Sequence, residues 1–194
     1  MKINFDDVQS ITRLEIERHS AQFPYFLPLK PRECTTGDVE ALSSFLCRQA
    51  EIVSEWSHPY TWNIFKKHLA PSKMSKCTKS SCDVFRGCNG IGPLADKFID
   101  GIDTASGGRI DTARLTLKPL QNLSTIQGRG LQRPQMSWCD ECWKQDILQD
   151  ETPYVRLYWL LQNTKICVHH NIRLSEHCPS CGEVKHQFPK HPRQ

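Results

Sequence analysis

The sequence predicts a mainly α fold: an N-terminal helical domain with a helix-turn-helix-like unit, followed by a small zinc-stapled C-terminal module with little strand. Three observations carry this expectation. Apolar residues recur at helical spacing through the first two thirds of the chain, cysteine and histidine pairs with metal-ligand spacing crowd the last third, and no strand-helix-strand pattern surrounds those pairs. The organisation that follows is an arm over 1–25, a helical domain over 26–120, a linker over 121–135 and a zinc-binding module over 136–194.

In the arm, Val8, Ile11 and Leu14 follow Asp6 and Asp7 at the spacing of a short amphipathic helix. The stretch from Phe23 to Pro31 holds too many prolines for a helix and reads as extended. Thr35 and Asp38 then form a capping box, and Val39, Leu42, Leu46, Ala50 and Val53 mark the inner face of a first long helix. A second helix is expected from Pro59 to Leu69, with Trp62, Phe65 and Leu69 inward and Pro71 ending it. Polar loop follows from Ser72 to Asn89. A third helix covers Pro93 to Ile102, with Leu94, Ala95, Phe98 and Ile102 on one stripe, until Ser106-Gly107-Gly108 breaks it. Asp111 or Thr112 caps a fourth helix reaching Leu117, before Pro119 interrupts the pattern. Two short helices about a glycine turn fit a helix-turn-helix, and they equally fit an ordinary core-forming pair.

With 194 residues, 38% hydrophobic and 24% charged, the chain lies in the ordinary globular range, and 12 prolines with 10 glycines predict many loops. Neither a basic start followed by an apolar run nor a bilayer-spanning apolar stretch is present, so the expectation is a soluble cytoplasmic protein of a bacterium, with no membrane partner. Ten cysteines in a reducing compartment are metal ligands or redox dithiols before they are disulfides. The net charge of +4 is unevenly placed: from Arg109 to Met136 the bases are Arg109, Arg114, Lys118, Arg129 and Arg133, against the single acid Asp111. These five form a candidate phosphate-binding surface, and a solvated face explains them as well.

Cys139-x2-Cys142 and Cys167-x2-His170 each have the spacing by which a tight turn presents two donors to one tetrahedral ion. Three thiolates and one imidazole close the coordination sphere, which leaves no position for an activated water and makes the expected Zn2+ structural. Such an ion supplies on the order of 10 kcal/mol of folding free energy to a small module. The tryptophan-flanked pair Trp138-Cys139-Asp140-Glu141-Cys142 also reads as a redox dithiol, which the further Cys and His pairs oppose. A second ion would be held by Cys178 and Cys181 with His186 and His191. The spacing leaves another pairing open, a zinc ribbon of Cys139, Cys142, Cys178 and Cys181. Cys77, Cys82 and Cys88 form a looser third candidate set, for which free thiols are the alternative. Cys34 and Cys47 read as small buried apolar residues, and His169 and His177 as solvent-facing or supporting neighbours of ligands. No phosphate-binding glycine loop, zinc-protease motif or nucleophile elbow occurs, and Asp96, Asp100, Asp103 and Asp111 read as surface acids, so no catalytic residue is assigned.

The run Trp138 to Cys142, then Tyr154-Val155-Arg156-Leu157-Tyr158-Trp159, then Ile166 to His170, and Leu174 with His177-Cys178-Pro179-Ser180-Cys181-Gly182 resembles the TniQ/TnsD family in order and spacing. Glu40 to Arg48 resembles that family's first helix, and Asn89-Gly90-Ile91-Gly92 with Leu115-Thr116-Leu117 its helix-turn-helix region. The resemblance implies a non-enzymatic target-selection adaptor in DNA transposition. Its implied partners are a AAA+ ATPase transposition regulator, target DNA and, in members tied to RNA-guided systems, a CRISPR effector complex or guide RNA; a homodimer is compatible with it. Cys139, Cys142, Cys167 and His170 take the position of the family's first zinc site, with Arg156 and Trp159 between its two halves. The family usually follows its second Cys pair with another, where this chain has only His186 and His191. The large C-terminal region of long, sequence-reading members is also missing, which favours the RNA-guided or ATPase-bridging role. A zinc-containing helix-turn-helix transcription regulator, reading DNA through Asp111 to Leu117, is the competing expectation.

Overall fold

Helix α1 (Leu42–Ile52) forms where Leu42, Phe45, Leu46 and Ala50 recur at helical spacing, and all four are buried. The computed structural model describes residues 26–27, 29–32, 37–53, 61, 87–123 and 130–182. The helix starts later than the capping box predicts, at Ala41, which provides no side-chain cap. Asp38 is engaged elsewhere, its carboxylate facing Arg156 and His169, and Glu40 pairs in an antiparallel bridge with Arg156. The cap comes instead from a distant residue. Asn89, in the 3₁₀ turn Gly87–Asn89, accepts from the Ser43 N–H through Oδ1 at 2.9 Å and donates through Nδ2 to Ser43 Oγ at 2.9 Å. Its carbonyl also accepts from the Leu117 N–H at 2.8 Å, tying α1 to the later loop.

Helix α2 (Pro93–Ser106) has Pro93 in its first turn and buries Ala95, Phe98, Ile102 and Ala105, one turn beyond the expected end. It stops at Gly107, which is left-handed (φ 66°, ψ 32°), while the Gly108 N–H donates to the Asp103 carbonyl at 2.7 Å. The expected fourth α-helix is a single 3₁₀ turn, Thr112–Leu115, followed by a second, Lys118–Leu123. Threonine hydroxyls account for the difference. Thr112 Oγ1 donates to Asp103 Oδ1 at 2.5 Å, and Thr116, extended at φ −121° and ψ 171°, closes the turn by donating to the Ala113 carbonyl at 2.7 Å. The pair about the glycine turn therefore presents one α-helix and one short 3₁₀ turn. The expected arm helix and the Pro59–Leu69 helix lie outside the described residues, apart from Thr61, which is helical and buried.

Two apolar clusters result. Phe26, Phe45, Phe98, Ile102 and Leu115 belong to the first, and Trp138, Trp159, Leu174 and three cysteines make the second. Helix α3 (Asp140–Leu148) belongs to the second. Among the described residues the extended pairings are isolated bridges, and no helix is long and apolar enough to cross a membrane. The clusters meet at the Glu40–Arg156 bridge, where the Ala41 N–H donates to the Val155 carbonyl at 2.8 Å and the Leu157 N–H to the Val39 carbonyl at 2.7 Å.

Beneath that bridge Glu40 is fully buried, its carboxylate accepting from Arg48 Nη2 at 2.8 Å, Arg48 Nε at 3.2 Å and the Arg32 N–H at 3.1 Å. Removing one member of such a pair strands the other charge in a poor dielectric. Glu40→Ala is therefore expected to cost about 3–5 kcal/mol in denaturant unfolding, whereas the Glu40→Leu/Arg48→Met pair costs far less. An equal loss from both variants would contradict the buried-charge account. Gly107→Ala is expected to lose about 1–2 kcal/mol, because a Cβ at positive φ is strained.

Candidate metal centre

Two backbone pairings converge four donors. Trp138 and Ser175 exchange N–H to carbonyl bonds at 3.0 and 2.8 Å, which sets the chain entering α3 beside the chain leaving a small hairpin. Asp140 fixes this junction, accepting from Trp138 Nε1 at 2.7 Å and from Ser175 Oγ at 2.6 Å. Cys139 is the N-cap of α3 and Cys142 lies in its first turn. In the hairpin, the Cys167 N–H donates to the Ile172 carbonyl at 2.8 Å and the Leu174 N–H to the Lys165 carbonyl at 2.9 Å. The tip turns back through Asn171 (φ 53°), whose N–H reaches the Cys167 carbonyl at 2.9 Å, and so presents Cys167 and His170.

The donor atoms of Cys139, Cys142, Cys167 and His170 all lie within 4.8 Å of one another. His170 Nδ1 is 3.5 Å from Cys139 Sγ, 3.4 Å from Cys142 Sγ and 3.7 Å from Cys167 Sγ, and the Cys142 and Cys167 sulfurs are 3.5 Å apart. A tetrahedral ion at about 2.3 Å from sulfur and about 2.0 Å from nitrogen requires donors about 3.5–3.8 Å apart, so the side chains present fit such an ion. Of the two pairings the sequence allows, this one is formed: Cys139 and Cys142 face Cys167 and His170, not Cys178 and Cys181.

The three thiols differ. Burial pushes the Cys167 thiol up, but N–H groups of His170 and His169, the Tyr158 hydroxyl at 3.6 Å and the His170 ring together bring it down to about 6. Burial dominates at Cys139 and Cys142 and holds both above the ordinary thiol value, although the Arg156 charge pulls Cys142 the other way. Around the donors, Trp138 stacks on Trp143 at 5.3 Å and 4°, Trp143 Nε1 donates to the Tyr154 carbonyl at 2.9 Å, and Trp159 is fully buried. Arg156 lies over the Tyr154 and Trp159 rings at 4.4 and 5.0 Å and forms a two-pronged pair with Asp146 at 2.8 and 3.2 Å. Arg156 and Trp159 are thus both buried and packed within the fold. His169 Nε2 sits 2.7 Å from Asp38 Oδ1, a link from the hairpin to the chain before α1 that the local sequence gives no sign of.

The other candidate residues are scattered. Cys178 and Cys181 bracket a turn closed by the Gly182 N–H on the Cys178 carbonyl at 2.8 Å, with Gly182 at φ 69°, the same form as the Cys167–Asn171 turn. His186 and His191 lie outside the described residues, as do Cys77 and Cys82. Cys88 is buried in the first apolar cluster, where burial, with Cys47 nearby, raises its thiol well above the usual range. Its surroundings are those of a core residue. Among the expected phosphate contacts, Arg109 and Arg114 are exposed, Arg109 Nε donating to the Ser106 carbonyl at 2.8 Å and Arg114 lying 3.9 Å from Asp111. Lys118 is paired with Asp96, and Arg129 lies outside the described residues. Arg133 is 4% exposed; it donates to Glu176 at 2.9 Å and to the carbonyls of Leu161 and Thr164, fastening the chain before Trp138 to the hairpin module. Its charge is used inside the fold.

The TniQ family model matches residues 31–174, from the segment before α1 to the end of the hairpin that presents Cys167 and His170. No curated protein matches the chain.

A divalent ion displaces the protons its ligands hold. With Cys167 held near 6 and the other two thiols raised, metal binding to apo protein at pH 7 is expected to release about two protons from the thiols, read with an indicator dye in weakly buffered solution. Release of about three would mean that Cys167 is protonated like its neighbours. Chelation is expected to shift the fluorescence of Trp138, Trp143 and Trp159, which pack in the same cluster as the donors.

Proposed function

The chain belongs to the TniQ family, whose role is target selection in transposition, and from that premise we propose that it is a non-enzymatic adaptor bridging a target-DNA complex to a AAA+ ATPase transposition regulator. The observation that carries this reading is the extent of the match. Residues 31–174 take in all of the second apolar cluster, most of the first and the Glu40–Arg156 junction between them, so the family unit is a joined body and not an isolated metal finger. A body of this kind works by holding separate surfaces at fixed positions.

The ion is Zn2+. Three thiolates and an imidazole in tetrahedral array suit it, and the filled sphere assigns it a structural role. A second zinc would use Cys178 and Cys181 with His186 and His191, and the form of the Cys178–Gly182 turn supports that assignment. Arg109 and Arg114, with Lys118 and Arg129, contact phosphates of target DNA or of a guide RNA in a CRISPR effector complex. The cytoplasm of a bacterium is the compartment, and the domain division over 26–120 and 136–194 separates Arg109, Arg114 and Lys118 from the zinc module, with Arg129 in the linker between. The competing regulator reading has less support, since Thr112–Leu115 is a 3₁₀ turn where groove reading calls for an α-helix.

The deciding experiment is co-elution of the purified chain with the AAA+ regulator encoded beside it, with and without ATP and duplex DNA. The adaptor reading expects co-elution that depends on both. Tight, sequence-selective binding to DNA by the chain alone, without co-elution, would establish the regulator instead. Arg109→Glu/Arg114→Glu is expected to weaken the DNA-dependent part of the complex about tenfold or more and to flatten its salt dependence.

A further inference from the structure

Two paths lead away from the four donors, and they meet on one oxygen atom. The first runs along the hairpin. His169 lies between the donors Cys167 and His170, so the turn that presents them also directs its ring, and Nε2 sits 2.7 Å from Asp38 Oδ1. An ionised carboxylate only accepts, so His169 donates there. The second path runs through α3. Cys142 and Asp146 lie one helical turn apart, both buried, and Asp146 holds the Arg156 guanidinium at 2.8 and 3.2 Å. Arg156 Nε, buried without a hydrogen-bond acceptor, faces the same Asp38 Oδ1 at 3.6 Å. Asp38 itself belongs to the helical half, two residues before the Glu40 that pairs with Arg156. Each ligand pair thus has its own route to this carboxylate.

We infer that Asp38 is a positioning residue for the metal centre, and that metal loading and the seating of the helical half on the zinc module are one linked equilibrium. Such linkage is reciprocal: the factor that the Asp38 carboxylate adds to metal affinity is the factor by which a bound ion strengthens the hold on the segment before α1. Three features select Asp38. It is approached from both ligand pairs, whereas the carboxylate of Glu40 beside it is taken by Arg48 of its own half. His170 supplies the fourth donor, so the His169 ring carries the position of the turn outward instead of binding the ion. The pairing of Trp138 with Ser175 holds the hairpin at its base, which leaves the place of its tip to the donors and to His169. The inference rests on the assignment of zinc to these four donors and adds a consequence: an ion lost from the module loosens the junction with the helical half as well.

Zinc affinity of the full chain, read by competition with a chelator, tests the coupling. Asp38→Ala and His169→Ala are each expected to weaken zinc about fivefold or more, and the double variant by no more than the larger single loss. Asp38→Asn keeps an acceptor for His169 and is expected to recover part of that loss. Gly107→Ala, which strains the helical half at the end of α2, is expected to leave zinc affinity unchanged. In the zinc-loaded chain, His169→Ala is expected to speed hydrogen exchange at the Ala41 amide, which bonds the Val155 carbonyl, by a factor similar to its loss of affinity. Unchanged affinity in both single variants, additive losses, or an equal loss in Gly107→Ala would overturn the inference. The His169 side chain is exposed, so His169→Ala keeps both the affinity and the exchange measurements usable should Asp38→Ala fail to fold. A parent chain that holds no zinc would overturn the metal assignment and this inference with it, whereas a loaded parent whose variants bind zinc equally well overturns the inference alone.

Discussion

The convergence of Cys139, Cys142, Cys167 and His170 is the constraint on which the C-terminal half depends. Helix α3 has nine residues, below the length at which a helix holds itself together in water, and two of its apolar residues, Ile147 and Leu148, face solvent. The hairpin beside it is held by a single bridge and its flanking bonds. Half of the buried cluster that unites them consists of the three cysteines. Without an ion these thiols are poorly paired groups in an apolar setting; with one they become the strongest link in the module. The tryptophans gather around the donors because that is where a fixed surface exists to pack against.

From the metal centre the constraint passes to the helical half through charge. Arg156 stands between the two clusters, bonded to Asp146 of α3, 3.6 Å from Asp38 and stacked over Tyr154 and Trp159. Its backbone pairs with Glu40, whose own carboxylate is taken by Arg48 on α1. Arg133 repeats the device at the other edge, joining Glu176 to the carbonyls of Leu161 and Thr164. Apolar contact alone would hold the halves together in many arrangements, whereas bidentate pairs are satisfied only in a narrow range of distances and angles. These pairs therefore set the relative position of the halves more than they add to stability.

Legibility in the sequence follows the range of the interactions. Both ligand pairs were readable because each is a single tight turn, and α2 was readable from Pro93 to its glycine stop because propensity, period and cap agree. Which ligand pair meets which was not readable, since it hangs on the bridge of Trp138 with Ser175, a contact without a pattern of its own. The start of α1 was misplaced for a related reason: Asp38 has the look of a local cap and serves instead a histidine 131 residues away. The four-residue 3₁₀ turn at Thr112 was hidden by an apolar spacing that suits either helix type, and the hydroxyls of Thr112 and Thr116 decided it. Arg133 looked like one more member of a basic run. A cation's partner 43 residues along cannot be told from solvent by composition.

That redistribution of the basic run bears on how an adaptor would work. With Arg133 turned inward and Lys118 paired to Asp96, the exposed charge of the described run narrows to Arg109 and Arg114, just beyond the C-terminal end of α2 in the helical half. Two further exposed basic residues, Lys165 and Arg173, sit on the hairpin that presents Cys167 and His170. Exposed basic residues thus occur in both halves of the fold. The ion pairs at Glu40, Asp38 and Asp146 lie between the halves, so their loss would leave the side chains of each half in place and release the register in which the two halves are held.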